Sequence, residues 1–486
     1  MKKSITRNAI YKILLNVFNI IVPIIIGPYA YRVLGPEYMG RVTYTESIYT
    51  YFFIFAAFGI YQYGLREVSR IRDNKEKTRK LFTSLLVIGV ISNLVVFTAF
   101  ISFSYIKFYR TNNFLALIVF SINIISNMFY VEWANEALEK FDFITKKTII
   151  IKVFYLVLLF TYVKTPEDYI KYIFLLVLST FLNNIISFIF ISRDIGFDFK
   201  DISIKKHLPL LVMTLVMANA NLLYTQLDRI MLGSYISEKV VSYYALCYNI
   251  ITIINTLILS IVFVTVPRLS NILGSNDEEG YISLLNKVVR VLFAFIIPSS
   301  IGIICLSEQI IRLFSGDKFL DSINLLKVFA VYMLTIGAES ILTNQILYVK
   351  REEKTLIRIL FIGGIANVIF NFTLVALKIF NPFTAIITTT ISNTLVVLQE
   401  FIYARRKLKI PISFINKNTL KYLAVSITFI PVTMIVKNYF TKVIPITILT
   451  VLISSVIYVF ALYITKDEVF TMVYDKLLHR FKNKPL

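Results

Sequence analysis

Four arginines occupy matching places in two similar stretches of this chain. Arg32-Val-Leu-Gly35 and Arg229-Ile-Met-Leu-Gly233 each end a long apolar segment, and each is followed by a similar second segment. Arg66 and Arg268 lie near the far ends of those second segments. A charged side chain within an apolar segment is costly and marks a functional position. The repeat therefore predicts paired cationic groups that face a shared central space.

Other interpretations of these arginines stay open. Arg32 and Arg229 lie about one turn from the end of their segments, where a long cationic side chain can extend to the membrane surface. Arg66 and Arg268 also fit the excess of basic residues in cytoplasmic loops. Asp228 precedes Arg229, but helical neighbours point about 100° apart, so a direct ion pair is not implied.

Glu46 and Glu339 are the acidic residues best placed to couple the protein to a proton or an ion, because each lies inside an apolar segment. The alternative is a buried carboxylate paired with Lys152 or Lys327, which also lie within such segments.

Glu132 and Glu400 lie close to segment ends, where we expect them to be solvated.

Asparagines recur within the apolar segments. Asn123 and Asn127 are four residues apart, as are Asn367 and Asn371, so each pair shares one helix face. The asparagines on these faces, and Asn219, could form hydrogen bonds with sugar hydroxyl groups. Hydrogen bonds between helices are the alternative use.

The residues that enzymes of several classes need are missing from the sequence. The two histidines, His207 and His479, have no metal-ligand neighbours, and no Gly-Lys-Ser/Thr phosphate loop occurs. Cys247 and Cys305 both fall inside apolar segments, which favours packing over a disulfide or a metal site. The sequence therefore predicts a protein that is not an enzyme and has no metal.

The composition places these residues in a membrane. Of the 486 residues 57% are hydrophobic and 16% charged, with a mean hydropathy of +0.73. Soluble cores cannot hide so much apolar surface. The basic start of the chain leads into an apolar stretch of full membrane length without a small-residue cleavage site, so we expect a first membrane helix and no signal peptide.

Fourteen apolar segments are long enough to cross a bilayer. They lie near 10–33, 42–64, 81–106, 113–134, 145–163, 169–191, 207–233, 240–266, 286–306, 322–348, 356–377, 383–403, 420–437 and 444–464. If both termini are cytoplasmic, most Lys and Arg residues fall in cytoplasmic segments. The net charge of +22 then indicates contact with anionic membrane lipids and needs no nucleic acid.

The repeat divides the chain into two lobes. The offset between matched segments spans six helices, so both copies have the same orientation and are related by an axis along the membrane normal. We predict an all-α polytopic membrane protein with a central cavity. Its parts are an N-terminal six-helix lobe at 1–204, a C-terminal six-helix lobe at 205–410, and two additional helices with a cytoplasmic tail at 411–486.

Five motifs resemble those of polysaccharide repeat-unit flippases of the Wzx type, which export O-antigen or capsule units. They are Arg32-Val-Leu-Gly-Pro-Glu-Tyr-Met-Gly-Arg-Val-Thr-Tyr44, Phe58-Gly-Ile-Tyr-Gln-Tyr-Gly-Leu-Arg-Glu-Val68, Glu132-Trp-Ala-Asn-Glu-Ala-Leu-Glu-Lys-Phe141, Leu227-Asp-Arg-Ile-Met-Leu-Gly233 and Val266-Pro-Arg-Leu-Ser270. Their order and spacing extend the resemblance over nearly the whole chain.

The resemblance implies membership of the multidrug/oligosaccharidyl-lipid/polysaccharide exporter superfamily, in which two six-helix lobes enclose a cavity that opens alternately to each side. It also implies that Arg32, Arg66, Arg229 and Arg268 hold the diphosphate of an undecaprenyl-linked sugar. A guanidinium suits that role because it contacts a diphosphate at two points and keeps its charge. The first segment lacks the coupling acid of many multidrug extruders, which weighs against drug antiport.

These observations predict a flippase in the bacterial cytoplasmic membrane that moves undecaprenyl-diphosphate-linked oligosaccharide by alternating access, for surface polysaccharide biosynthesis. No cofactor is expected, although coupling to a proton or sodium gradient is open, as is an association with polysaccharide polymerase machinery. The alternatives are a multidrug/cation antiporter of the same superfamily and a non-transporting membrane scaffold of a glycan-synthesis complex.

Overall fold

Helices account for all regular structure in the described part of the chain. The structure is a computed structural model that describes residues 5–200, 202–472 and 474; within these ranges the side chains at 5, 6, 9, 217–225 and 261 are outside the description. A helix satisfies its backbone hydrogen bonds within one segment, which is what an apolar chain in a bilayer requires. The prediction of an all-α membrane protein is confirmed.

The chain divides into two compact units, Met1–Ser242 and Tyr243–Leu486. The first unit contains α1 (Ile5–Ala57), α2 (Ile60–Ile71), α3 (Lys75–Phe108), α4 (Asn113–Asn127), α5 (Glu132–Ala137), α6 (Phe141–Tyr162), α7 (Tyr169–Ile195) and α8 (Ile204–Tyr235). Helix α9 (Glu238–Phe263) begins at the end of this unit. Because α8 packs against α1 and α2, it belongs to the first unit. The lobe boundaries that were drawn from the sequence repeat stay a prediction.

Among its described residues, the second unit contains the rest of α9 and nine further helices. They are α10 (Val266–Gly274), α11 (Glu278–Cys305), α12 (Ser307–Ser315), α13 (Ile323–Ser340), α14 (Glu353–Ala376), α15 (Pro382–Arg406), α16 (Lys417–Ile427), α17 (Phe429–Tyr439) and α18 (Val443–Ile464). A π-helical segment, Ile341–Leu347, continues α13. Two 3₁₀ turns complete the description, Pro166–Asp168 in the first unit and Asp317–Ser322 in the second.

Helix α1 combines two predicted membrane segments. Its backbone is non-helical at Gly35, which has φ 69° and ψ 178°, and Pro36 starts the second part. A left-handed φ costs little for glycine, so the chain bends here. The helix continues through Pro23 and Pro28.

Two left-handed residues, Phe58 and Gly59, separate α1 from α2. A Cβ on Gly59 would lie 2.6 Å from the backbone nitrogen of Leu215 and 2.7 Å from the carbonyl oxygen of Leu211. Helix α8 therefore crosses directly over this break, and only glycine leaves room for it.

Eleven segments within the described residues are long and apolar enough to cross a membrane. One of them, Ile10–Ile71, covers the first two predicted spans. The predicted spans at 145–163 and 207–233 are helices, α6 and α8, but are not among the eleven. The protein is thus a multi-pass membrane protein, and the number fourteen stays a prediction.

Candidate functional site

The buried guanidinium of Arg229 lies on the face of α8 that packs against α1. Arg229 has 7% of its surface exposed and acts electrostatically on Glu46. Gly233 follows one turn later on the same face, and a Cβ there would overlap the ring of Tyr44. Arg229 of α8 therefore interacts electrostatically with a carboxyl group of α1, the helix against which α8 packs.

A polar cluster surrounds this interface where α8 leads into α9. The hydroxyl groups of Tyr44 and Ser234 are 2.9 Å apart. The side chain of Glu238 lies 3.4 Å from the Nε of Arg41 and accepts a hydrogen bond from Asn113 at 2.5 Å. The cluster joins α1, α4, α8 and the start of α9, so it fixes the position of the helix that carries Arg229.

Three tyrosines border Glu46 from three helices. Tyr49 of α1, Tyr155 of α6 and Tyr172 of α7 each interact electrostatically with this carboxylate. Tyr49 also stacks on Phe120 of α4, with ring centroids 5.3 Å apart. Sequence analysis missed these tyrosines because nothing in their spacing separates them from the other 27 in the chain.

Arg32 and Arg229 differ in burial although they match in the repeat. Arg32 is exposed on α1, three residues before the bend at Gly35, whereas Arg229 is buried. Asp228, which precedes Arg229, is completely buried. Both arginines lie in the first unit because α8 packs there.

The other two candidate arginines lie on the surface. Arg66 is exposed, pairs with Glu67 at 2.9 Å and lies over the ring of Tyr63. Arg268 is exposed on α10 in the second unit. The structure leaves their assignment to a substrate site as a prediction.

Among the described contacts, neither candidate lysine pairs with a candidate acid. Lys327 donates to its neighbour Asn324 at 3.0 Å. Lys152 is half-buried near the middle of α6. Glu339 instead accepts a hydrogen bond from Asn393 at 2.5 Å.

The asparagine pairs bond across helix interfaces. In the first unit Asn127 donates to Asn93 of α3 at 3.1 Å, and Asn123 bonds Tyr49 of α1. In the second unit, Asn367 and Asn371 are fully buried. They bond Thr389 at 3.0 Å and Thr388 at 2.6 Å on α15. The side chain of Asn219 lies outside the described residues.

Two acids that were expected to be solvated are largely covered by neighbouring helices. The prediction for Glu400 was wrong: it is completely buried, because α13 and α14 cover this part of α15. The prediction for Glu132 was wrong as well, since only 13% of its side chain is exposed. Its carboxylate lies 2.9 Å from the ammonium of Lys147, and Ser187 donates to it at 2.5 Å.

An apolar groove of about 470 Å³ lies within the second unit between α11, α17 and α18. Pro298, Phe429 and Tyr458 are among its lining residues, and none of the candidate site residues lines it. Among the residues searched, no group of three or more His, Cys, Asp or Glu side chains could hold a metal ion.

Two family models match the sequence. The model described as polysaccharide biosynthesis protein matches residues 5–273, and the model described as MatE matches residues 213–377.

Two curated relatives, both named "Putative O-antigen transporter", are similar over most of their length. The one from Shigella dysenteriae is 24% identical over 378 residues, which cover 76% of this chain and 92% of the relative. The one from Escherichia coli K12 is 21% identical over 83% of this chain and 97% of the relative.

Solved structures share the fold. The lipid II flippase MurJ in an inward closed conformation aligns with a TM-score of 0.71 and 18% identity, over 97% of this chain and 99% of that chain. An inward-facing multidrug resistance transporter of the MATE family aligns with a TM-score of 0.61 and 15% identity, over 80% of this chain and 94% of that chain. At these identities the likeness shows a common fold.

Proposed function

The chain belongs to the polysaccharide biosynthesis protein family, and from this membership we propose that it is a flippase for undecaprenyl-diphosphate-linked oligosaccharide repeat units. It moves them across the bacterial cytoplasmic membrane for surface polysaccharide biosynthesis. The names of the curated relatives and the fold shared with a lipid II flippase support this function. It is a transporter rather than an enzyme.

The proposed route takes the polar headgroup through the protein while the lipid tail stays in the bilayer. Both termini are cytoplasmic, and the unit binds from the cytoplasmic side and leaves after outward opening by alternating access. The surrounding basic loops contact anionic membrane lipids, and polysaccharide polymerase machinery receives the product.

The observation that carries the proposal is the buried arginine of α8. A guanidinium with 7% exposure among apolar helices is expensive unless it meets a negative charge. In this structure Glu46 is one acidic group that interacts electrostatically with it. A diphosphate carries more negative charge and accepts two-point hydrogen bonds, so it can take the place of the carboxylate. Arg32, Arg66 and Arg268 are the further candidates for contact with the diphosphate.

The test is transport by purified protein in liposomes that contain a fluorescent undecaprenyl-diphosphate oligosaccharide. Wild-type protein should expose the labelled lipid to an impermeant quencher on the far side. The variant Arg229→Ala should lose most of this activity, and Arg229→Lys should keep a fraction because lysine offers a charge without the planar fork. Liposomes in which the wild type moves no lipid-linked sugar would support the scaffold alternative.

A multidrug/cation antiporter is the second candidate, since the MatE model matches residues 213–377 and a MATE transporter shares the fold. Growth tests distinguish the two. Deletion of a drug antiporter lowers drug tolerance, whereas deletion of the flippase removes surface glycan and leaves drug tolerance unchanged.

A further inference from the structure

Two helices of the first unit are interrupted at the same place. Helix α1 gives way to α2 at Phe58 and Gly59, whose backbone is left-handed. Helix α4 ends at Asn127, and the short helix α5 begins at Glu132. Residues beside both interruptions line one small cavity. The cavity therefore marks the point where the two breaks meet.

This cavity has a volume of about 20 Å³, which is enough for one water molecule and too little for a larger ligand. Asn93, Asn127 and Trp133 are among its lining residues. Cavities that stay empty in proteins are apolar, whereas a cavity with two to four polar partners holds ordered water. The polar groups of the lining therefore decide what the cavity contains.

The indole nitrogen of Trp133 is a buried donor that lacks a protein acceptor. Trp133 is 1% exposed, and within the described part of the chain no oxygen accepts a hydrogen bond from its Nε1. An indole N–H can only donate, and a buried donor without an acceptor is rare. Phe82 packs against the ring, and a Cβ on Gly64 would lie 2.5 Å from it. The ring thus has little room to turn toward another acceptor.

Two asparagines supply acceptors at the same cavity. Asn93 of α3 is fully buried and donates to the carbonyl of Ala56 at 3.2 Å and to that of Gly89 at 2.7 Å. Its side-chain oxygen accepts a hydrogen bond from Asn127 at 3.1 Å. An amide oxygen has two lone pairs, so this oxygen can accept a second bond.

A water molecule fits these groups better than a cation does. The lining residues include no Asp or Glu that would attract a cation, and the N–H of Trp133 would repel one. Water accepts a hydrogen bond from one N–H and donates to two oxygens at once. One donor and two amide oxygens are the groups that the lining provides.

We propose that one ordered water molecule occupies this cavity, accepts a hydrogen bond from Trp133 Nε1 and donates to the side-chain oxygens of Asn93 and Asn127. It joins α5 to α3 and α4 beside the two breaks, where water can replace hydrogen bonds that an interrupted helix loses. This gives a role to the tryptophan of the motif at 132–141, which the proposed transport function leaves unexplained. The site lies entirely within the first unit and does not depend on that function.

The first experiment uses Trp133, the single tryptophan of the chain, as a probe. In full-length protein that is ¹⁵N-labelled at tryptophan and deuterated at carbon, the indole N–H gives one NMR signal. We expect a through-space cross peak between this proton and water in the wild type. Tyr130→Phe should keep it, which excludes the exchangeable hydroxyl of another lining residue as its source. Gly89→Ala should lose it, because the added methyl group of this lining residue, 3.3 Å from Ile60 Cδ1, takes the space of the water.

Thermal unfolding provides a second test through the sign of the effect. If the cavity were dry, Gly89→Ala would fill empty space and improve helix propensity, so the melting temperature would rise. In the hydrated cavity the methyl group expels the water and leaves Trp133 Nε1 unpaired, so the melting temperature should fall. In a Trp133→Phe background, which has no N–H to leave unpaired, the same change should lower it less or raise it. The contact with Ile60 is the same in both backgrounds, so their difference isolates the water.

The matched control is Gly302→Ala in α11, where a Cβ meets nothing within 4 Å and the indole cross peak should persist. A wild type without the cross peak would show a dry cavity and overturn the proposal. A cross peak that disappears in Tyr130→Phe or persists in Gly89→Ala would do the same, because its source would lie elsewhere. An equal effect of Gly89→Ala on stability in both backgrounds would also contradict the assigned bond to Trp133.

Discussion

Gly233 of α8 lies directly against the aromatic ring of Tyr44 of α1, with no space between them for a Cβ atom. The Tyr44 hydroxyl meets Ser234 at 2.9 Å, so the ring and its polar end both contact α8. The contact joins residues from the two copies of the sequence repeat, since Tyr44 follows Arg32-Val-Leu-Gly35 and Gly233 ends Arg229-Ile-Met-Leu-Gly233.

Replacing Gly233 with alanine should therefore weaken the interface between α1 and α8. The added methyl group must displace the Tyr44 ring, and such overpacking costs about 1–3 kcal/mol. We expect a lower melting temperature of the purified protein and a lower transport rate. The matched control is Gly302→Ala in α11, where a Cβ meets nothing within 4 Å; there we expect unchanged or slightly higher stability. Equal losses in both variants would contradict the interpretation.

The sequence predicted the type and order of the helices because membrane segments carry long apolar runs that are easy to recognise. It did not predict where helices meet. The end of the first apolar segment at Gly35 was predicted, yet the crossing of α8 over Gly59 depends on three-dimensional packing that no local pattern reveals.

The candidate site was predictable in part. Arg229 and Glu46 were both identified from their unusual position in apolar segments, but their electrostatic contact was not, because they are far apart in sequence. The prediction for Glu400 was wrong because its position close to a segment end suggested solvation, whereas neighbouring helices cover it. Lys147 was overlooked for the same reason.

The electrostatic interaction between Arg229 and Glu46 should appear as a coupling free energy. Removing one of two buried polar groups that interact leaves the other without its partner and costs about 1–3 kcal/mol. We expect Arg229→Met to lower the melting temperature strongly. The double variant Arg229→Met with Glu46→Gln should lose less stability than the two single variants lose together. The exposed Arg66→Met serves as the control and should cost less than about 1 kcal/mol. Additive effects in the cycle would exclude the pair.

The buried network of Lys147, Glu132 and Ser187 joins α5, α6 and α7. The side chain of Lys147 is only 3% exposed, so Lys147→Met should leave Glu132 without its counter-charge and destabilise the protein by about 3–5 kcal/mol. The double variant Lys147→Met with Glu132→Gln should recover part of that loss. Thermal unfolding provides the measurement, with the exposed neighbour Lys146→Met as the control. An equally large loss of stability in Lys146→Met would show that the effect comes from changing any lysine at this point of α6, and not from the buried network.

Two adjacent acids of very different exposure contact the C-terminal helices. The side chain of Asp467 is 1% exposed; it contacts the ammonium of Lys421, accepts a hydrogen bond from Tyr422 at 3.1 Å and accepts another from the backbone of Val469 at 2.9 Å. The neighbouring Glu468 is 62% exposed and pairs with Arg290 of α11.

Asp467→Asn should lower the melting temperature and speed hydrogen exchange in α16 and at the end of α18, because hydrogen bonds to a charged group contribute about 1.5–3 kcal/mol. Glu468→Gln should have little effect, since exposed ion pairs contribute about 0–1 kcal/mol. Hydrogen exchange followed by mass spectrometry measures both variants under one set of conditions. If the Glu468 change loosens these helices as much as the Asp467 change, the contact with α11 rather than the buried carboxylate holds them in place.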